Sequence, residues 1–341
     1  MQILEIESFL ANAENGTILD VRSPKEFAQG HIPEAISFPI FTDIERHEIG
    51  LCYKKRGQQK AILLGLEIVG PKLADFVKKA EAYRGKPIYI HCWRGGMRSN
   101  SMATLLETVG HKVYLLKNGY KAYRNHVLSS FEIEMKIVNI AGYTGSAKTE
   151  ILSELLNLGM QIIDLEGIAK HKGSAFGNLD NEEQPSSEHF ENLLAKEVSK
   201  IDVNQVVFFE DEGMSVGHVK VPQAIFQRLQ HAPMLFIQRT KDLRIQHLLS
   251  IYSANQNVEE AKAAFLRISK RLGGQNVKEA MEAIDNGDAH KAILIALNYY
   301  DKYYYAKLNN RPFSRFIKVD GNESNSEVAQ RIIEKTQLIY E

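Results

Sequence analysis

The sequence predicts two α/β domains in series, each built on a parallel sheet flanked by helices. Three observations carry this expectation. Short apolar runs alternate with helical stretches along all 341 residues, the order that builds parallel strands covered by helices on both faces. Two glycine-containing loops, at 91–99 and 142–149, each stand between an apolar run and a helical one, where open α/β sheets carry their chemistry. The length is enough for two cores, and the strand pattern restarts at Lys136. The expected domains are therefore 1–130 and 131–341, the second with a helical insertion at about 241–307.

Composition narrows the class. With 44% hydrophobic and 25% charged residues, the chain suits soluble globular domains. No apolar run approaches the ~20 residues of a membrane span, and Met1–Glu5 lacks the basic start and apolar core of a signal peptide. Cys52 and Cys92 are the only cysteines, too few for a disulfide framework, so a reducing cytoplasm is the expected compartment. Basic and acidic residues balance at 42 each. Any nucleic-acid contact must then use local clusters, of which the candidates are Lys54-Lys55-Arg56, Lys117 with Lys121 and Arg124, Lys170-His171-Lys172, and Arg267-Lys270-Arg271. Taken singly, each cluster reads as solvated surface.

In the first domain, Thr17–Arg22 reads as a short strand ending in charge, with Asp20 and Arg22 salt-bridged to fix the next turn. Ser23-Pro24-Lys25-Glu26 has the N-cap, N1 and N3 residues of a capping box, so a helix starts there; Gly30-His31-Ile32-Pro33 ends it. Ala35–Pro39 is extended. A long helical region carrying Leu63, Leu64, Leu66, Ile68 and Val69 runs to a breaker at Gly70-Pro71, and Leu73–Ala82 is amphipathic. Cys52 has no glycine cradle and reads as buried or auxiliary. The last strand is Lys112–Leu116.

Pro87–Ile90 leads as a buried strand into His91-Cys92-Trp93-Arg94-Gly95-Gly96-Met97-Arg98-Ser99, and a helical run from Ser101 leads out. Cys92 thus lies between a strand end and a helix N-terminus, where backbone N–H groups can face one sulfur or oxyanion. Gly95 and Gly96 let the loop curl, while Arg94 and Arg98 add positive charge. All of this lowers a thiol pKa, and the thiolate is the reactive form. Cys92 is the candidate catalytic residue, with Trp93, Arg94, Gly95, Gly96, Met97 and Arg98 as its loop. The C-x5-R spacing of Cys92 and Arg98 is that of cysteine phosphatases, and the same cradle serves sulfurtransferases whose cysteine carries a persulfide. The loop alone leaves both open.

A resemblance separates them. Asp20-Val21-Arg22-Ser23-Pro24-x-Glu26-Phe27-x-x-Gly30-His31-Ile32-Pro33-x-Ala35 resembles the opening motif of rhodanese domains, and Asn118-Gly119-Tyr120-Lys121-Ala122-Tyr123 resembles their closing segment. Tyrosine phosphatases lack the first motif, so the first domain is expected to be rhodanese-like.

The second domain opens with the buried strand Lys136–Ala141, which runs into Gly142-Tyr143-Thr144-Gly145-Ser146-Ala147-Lys148-Thr149 and then a helix to Leu158. This is the G-x-x-x-x-G-K-[ST] phosphate loop with Ala147 in place of its last glycine, and it implies a P-loop NTPase-like fold. Gly142, Thr144, Gly145, Ser146, Lys148 and Thr149 are the candidate diphosphate-binding residues: backbone N–H groups wrap the phosphates, Lys148 supplies charge, and Thr149 can reach Mg2+. The Ala147 methyl crowds the loop at the phosphate and argues against full nucleotide-hydrolysing competence. Further strands are expected at Gln161–Asp164, Val206–Phe209, Met234–Ile237 and Phe316–Val319, giving about five.

Glu210, Asp211 and Glu212 end an apolar strand in carboxylates that can hold a metal's water; the sequence assigns no metal ligand set. The segment 164–177 follows the second strand and should overlook the phosphate loop. Asp164, Glu166, His171, Lys172 and Ser174 in it are candidate substrate-binding residues, continued by Gln184–Asn192. Helices are expected around Asp242–Ser250, Glu259–Leu272, Val277–Ile284 and Ala289–Tyr305, with the tyrosines at 299, 300, 303, 304 and 305 serving helix packing.

Taken together, these motifs, with Gly217 beside the acidic run, cover nearly the whole chain in order and resemble the tRNA 2-selenouridine synthases. The sequence departs from that pattern at Ala147 and at Asn118, where a second glycine is usual. The resemblance implies that wobble 2-thiouridine is S-geranylated with geranyl diphosphate and that selenium from selenophosphate then replaces the geranylthio group. Cys92 would be the thiol of selenation and the 142–149 loop the diphosphate cradle. It further implies tRNA as partner, selenophosphate synthase as supplier, no tightly bound cofactor, Mg2+ at most as an added ion, no membrane and a monomer. The alternatives are a thiosulfate-type sulfurtransferase fused to a small-molecule kinase, and a non-catalytic tRNA-binding module.

Overall fold

The computed structural model describes residues 1–171, 183–254, 258–308, 314–319 and 323–340. The chain divides into two compact units, one of Met1–Ser130 with Glu191–Lys196, the other of Phe131–Phe190 with Glu197–Glu341.

The first unit holds a five-stranded sheet of β1 (Gln2–Leu4), β2 (Thr17–Asp20), β3 (Ile36–Ser37), β4 (Ile88–His91) and β5 (Val113–Leu116), in the order β1-β5-β4-β2-β3. Every pairing is parallel. All four residues of β4 are buried, so burying Ile88 and Ile90 contributes roughly 1.5–3 kcal/mol each. They pack with Leu19, Met102, Ala103 and Leu106 in the core. The edge strand β1 is three residues long, too short to show an alternation in sequence.

The helix Pro24–Gln29 starts at the expected capping box, with the Ser23 N–H donating to Glu26. The long helical region differs from expectation. It breaks at Gly57, whose φ of 85° only glycine adopts freely, into Asp43–Arg56 and Gln58–Val69. Gly70-Pro71 ends the second of these as expected: the α-helix stops at Val69, and Gly70–Lys72 forms a 3-10 turn in whose first turn Pro71 gives up an N–H that has no partner there. Cys52 is partly exposed on the Asp43–Arg56 helix.

The second unit holds β6 (Lys136–Gly142), β7 (Gln161–Ile163), β8 (Val206–Glu210), a short antiparallel pair β9 (Ser215–Val216) and β10 (Val219–Lys220), then β11 (Met234–Gln238) and β12 (Ser314–Lys318). The main sheet is parallel, in the order β12-β11-β6-β8-β7. β6 is central and buried from Ile137 to Gly142. Its two neighbours, β8 and β11, begin opposite halves of the sheet, so a crevice opens at the carboxyl end of β6. The helix Asn325–Tyr340 contributes Val328, Ala329 and Ile332 to the core beneath the phosphate-loop helix Lys148–Asn157.

In the helical insertion, the expected helix Glu259–Leu272 is two, Val258–Arg267 and Ser269–Leu272. Tyr299 and Tyr300 pack against the cluster of Phe265, Leu272 and Val277, as expected of packing residues. Among the described residues, no helix is long and apolar enough to cross a membrane.

Candidate functional site

Cys92 directly follows β4, and its loop leads into the helix Met97–Thr108. The cysteine is 3% exposed, and its Sγ lies 3.2 Å from Ser99 Oγ. Burial alone would raise its pKa. The Ser99 hydroxyl, the Arg98 charge and the backbone N–H groups of Ser99 and Arg94 outweigh burial and hold the thiol below its ordinary value. Arg98 is paired within the protein. It donates to Glu26 Oε2 at 2.7 Å, and Glu26 also caps the Pro24–Gln29 helix.

The loop is cradled by the segment after β5. Tyr120 N–H donates to Cys92 O at 2.8 Å and Lys121 N–H to Trp93 O at 3.0 Å. A Cβ on Gly119 would lie 2.3 Å from Cys92 O, so only glycine fits. Asn118 stands at φ 58°, a region asparagine tolerates better than most residues; its departure from the family pattern is conformationally mild.

Asp20 and Arg22 form a fully buried ion pair at 2.6 Å, Arg22 also donates to Gly30 O, and its guanidinium lies 3.6 Å from the Tyr120 ring centroid. This is the structural role expected for them. Glu191 and Asn192, expected to extend the substrate loop, belong to the first unit instead. There they bind Arg124, and Asn192 donates to Tyr120 Oη and His31 O.

In the second unit, the 142–149 loop follows β6 and opens the Lys148–Asn157 helix. Ala147 stands at φ 58°, ψ 38°, in the left-handed region, and is 3% exposed. Ser146 Oγ is buried with no hydrogen-bond partner, and Thr149 is exposed. Arg244, from the helix Lys241–Ala254, braces the loop: it donates to Thr144 O at 3.1 Å and is held in turn by both carboxylate oxygens of Asp301. Loop and helix approach closely at Gly145, where a Cβ would lie 3.0 Å from Arg244 O.

Lys148 Nζ lies 3.4 Å from Glu210 Oε1. Burial would lower the Lys148 pKa, but Glu210, Glu166 and Glu212 together raise it, so the lysine stays charged. Carboxylate oxygens of Glu166, Glu210 and Glu212 lie within 4.8 Å of one another. Burial, then mutual repulsion, pushes both Glu166 and Glu210 above the ordinary carboxylate range. Glu210 Oε2 is buried without a partner. Oxygen donors and an orphaned carboxylate oxygen are what Mg2+ requires, so these residues fit that ion. Asp211 is set apart, accepting from Tyr304 Oη at 2.8 Å.

A model of the family described as "tRNA 2-selenouridine synthase AAA domain" matches residues 135–337, and one described as "Rhodanese-like domain" matches 5–126. A tRNA 2-selenouridine synthase of Cupriavidus necator is 36% identical over 299 residues, 81% of this chain and 80% of the relative. The chain belongs to the tRNA 2-selenouridine synthase family. Other members are similar to it, at 35% over 295 residues in Sulfurovum sp. (80% of each chain) and 32% over 337 residues in Shewanella frigidimarina (87% of this chain, 90% of the relative).

In this tRNA 2-selenouridine synthase family member, the structure places Trp93 and Arg94 at the exposed rim of the cysteine loop and Met97 54% exposed beside them. Asp164 caps the short helix Leu165–Ala169 by accepting from Gly167 N–H. Glu166 joins the glutamate cluster rather than an open substrate loop. His171 is partly buried, and burial, Arg267 and His218 lower its pKa. Lys172 and Ser174 lie outside the described residues. Gln184 is pinned between Ala169 O and Val216 O, against Gly217, which accounts for both motif residues.

Sequence reasoning missed Glu26 as the partner of Arg98, Ser99 as the hydroxyl at the thiol, and Arg244 with Asp301 as the brace on the phosphate loop. Glu26 and Ser99 stood inside quoted motifs. Arg244 carried no local signal.

Proposed function

We propose that this chain converts wobble 2-thiouridine in tRNA to 2-selenouridine through an S-geranyl intermediate, with geranyl diphosphate and selenophosphate as co-substrates. The observation that carries the reading is the phosphate loop of a tRNA 2-selenouridine synthase family chain, with Lys148 kept charged inside it. In the first step, the thiocarbonyl sulfur attacks the geranyl carbon, the C–O bond breaks and diphosphate leaves. The leaving group gathers negative charge, and Lys148 with the loop N–H groups stands where that charge develops. Ala147 is tolerable in this role because no γ-phosphate needs to be hydrolysed. In the second step, the selenium of selenophosphate attacks the C2 carbon, the C–S bond breaks and the geranylthio group leaves as the thiol, and water cleaves the P–Se bond to release phosphate, with Cys92 as the catalytic thiol. Its depressed pKa supports this assignment. Selenophosphate would come from its synthase, and the enzyme would act in the cytoplasm as a monomer.

The test is nucleoside mass analysis after incubating the protein with 2-thiouridine tRNA. Geranyl diphosphate alone should yield the S-geranyl nucleoside, and added selenophosphate should carry it to 2-selenouridine. Cys92→Ala should stop at the S-geranyl stage. Full selenation by Cys92→Ala would overturn the cysteine assignment; ATP consumption without any geranyl product would favour the kinase reading.

A further inference from the structure

Three consecutive residues of the cysteine loop meet Tyr120. His91, just before the thiol, stacks on its ring with centroids 6.0 Å apart and planes 20° from parallel. Cys92 O accepts from the Tyr120 N–H at 2.8 Å. Trp93, just after, has its ring centroid 5.7 Å from that of Tyr120. Neither ring nitrogen of His91 is hydrogen-bonded among the described residues, so ring packing, not a hydrogen bond, orients it. The course of the chain through the thiol therefore follows the position of Tyr120.

Tyr120 is itself fully buried and gripped at two points. The Arg22 guanidinium lies over its ring at 3.6 Å. Its Oη accepts from Asn192 Nδ2 at 2.8 Å, although the two residues stand 72 apart in sequence. Asn192 is 0% exposed, and it and all its partners belong to the first unit. Its Oδ1 accepts from Arg124, and its Nδ2 donates also to His31 O at 2.8 Å. These partners fix the amide. A guanidinium only donates and a backbone carbonyl only accepts, so oxygen must face Arg124 and nitrogen His31, which aims the second N–H at Tyr120 Oη. Leucine, close in size, offers neither bond, and aspartate puts an oxygen against the His31 carbonyl.

We infer that Asn192 is a positioning residue for Cys92, acting through Tyr120. Its hydrogen bonds hold the Tyr120 side chain, and Tyr120 holds the start of the loop whose N–H groups at Arg94 and Ser99 face the sulfur. With that hold released, the N–H groups lose their aim and Cys92 becomes a more ordinary thiol. A purely structural asparagine would change stability and leave the titration of the thiol in place. The role rests on the reading of Cys92 as the reactive thiol.

The experiment follows alkylation of Cys92 by iodoacetamide across pH in the full chain, resolved from the partly exposed Cys52 by mass spectrometry. In Asn192→Ala, and in Tyr120→Phe, which keeps the ring and loses only the hydroxyl, the midpoint should move up towards the ordinary thiol range. The rate at neutral pH should fall roughly 3-fold or more in each. The double variant should fall no further than the slower single one, since both changes break the same contact. Lys196→Ala removes a pair with Glu34 from the same helix and should leave the profile unchanged. Unfolding midpoints recorded alongside separate loss of fold from loss of aim, and if Asn192→Ala does not fold, Tyr120→Phe carries the test. A Tyr120→Phe profile superimposable on wild type, or additive losses in the double variant, would overturn the proposal. A wild-type thiol no more acidic than a free one would instead overturn the reactive-thiol reading, and this role with it.

Discussion

Cys92 Sγ and Ser99 Oγ stand 3.2 Å apart at the start of one helix, and the Ser99 backbone N–H faces the same sulfur. The pair keeps a buried thiol acidic. A depressed folded-state pKa means the thiolate persists below the ordinary thiol range, and its stabilising contribution, present above the unfolded value, is lost as pH falls through the folded one. Cys92 alkylation should therefore reach its plateau at a lower pH than a free thiol. In Ser99→Ala the profile should move up towards the ordinary thiol range. Superimposable profiles for wild type and Ser99→Ala would remove Ser99 from this role.

Lys148→Ala should lower kcat/KM for geranyl diphosphate by about 2–4 kcal/mol of transition-state stabilisation. The variant also strips three glutamates of their counter-charge, so its unfolding transition should be recorded alongside. A folded Lys148→Ala protein with unchanged geranylation kinetics would sink the diphosphate assignment.

Ala147 occupies a left-handed conformation that costs a non-glycine residue roughly 1–2 kcal/mol. Glycine relieves this strain but loses more chain entropy on folding, roughly 0.5–1 kcal/mol. Ala147→Gly should thus stabilise the second unit by up to about 1 kcal/mol in denaturant unfolding. Destabilisation would show that the buried methyl packs more favourably than the backbone conformation is strained.

For tRNA binding, the basic clusters divide once their partners are known. Lys117 pairs with Glu5, and the Arg124 side chain, 14% exposed, pairs with Glu191. Lys121 and Arg271 are exposed. Lys121→Ala and Arg271→Ala should each weaken binding alike for all tRNA sequences and reduce the salt slope by about 1. Arg124→Ala should act mainly on the stability of the first unit. Wild-type affinity and slope in both lysine and arginine variants would return these residues to ordinary surface.

The sequence by itself determined the elements whose causes are local. The capping box at Ser23 and Glu26, the cysteine loop between β4 and its helix, and the phosphate loop between β6 and its helix are set by neighbouring residues, and each lies where its motif puts it. Helix breaks were partly legible: Gly70-Pro71 ends an α-helix as its residues suggest, whereas the break at Gly57 depends on a left-handed backbone conformation that the local residues do not announce. Tertiary structure alone decided the partnerships. Arg98 meets Glu26 across 72 residues and Arg244 meets the Thr144 carbonyl across 100. Glu166 joins Glu210 and Glu212 only because β7 and β8 pair in register. Contacts of this kind leave no periodicity in a sequence; the order of strands in a sheet brings them together, and that order is settled by burying whole apolar faces rather than by any residue taking part in the site.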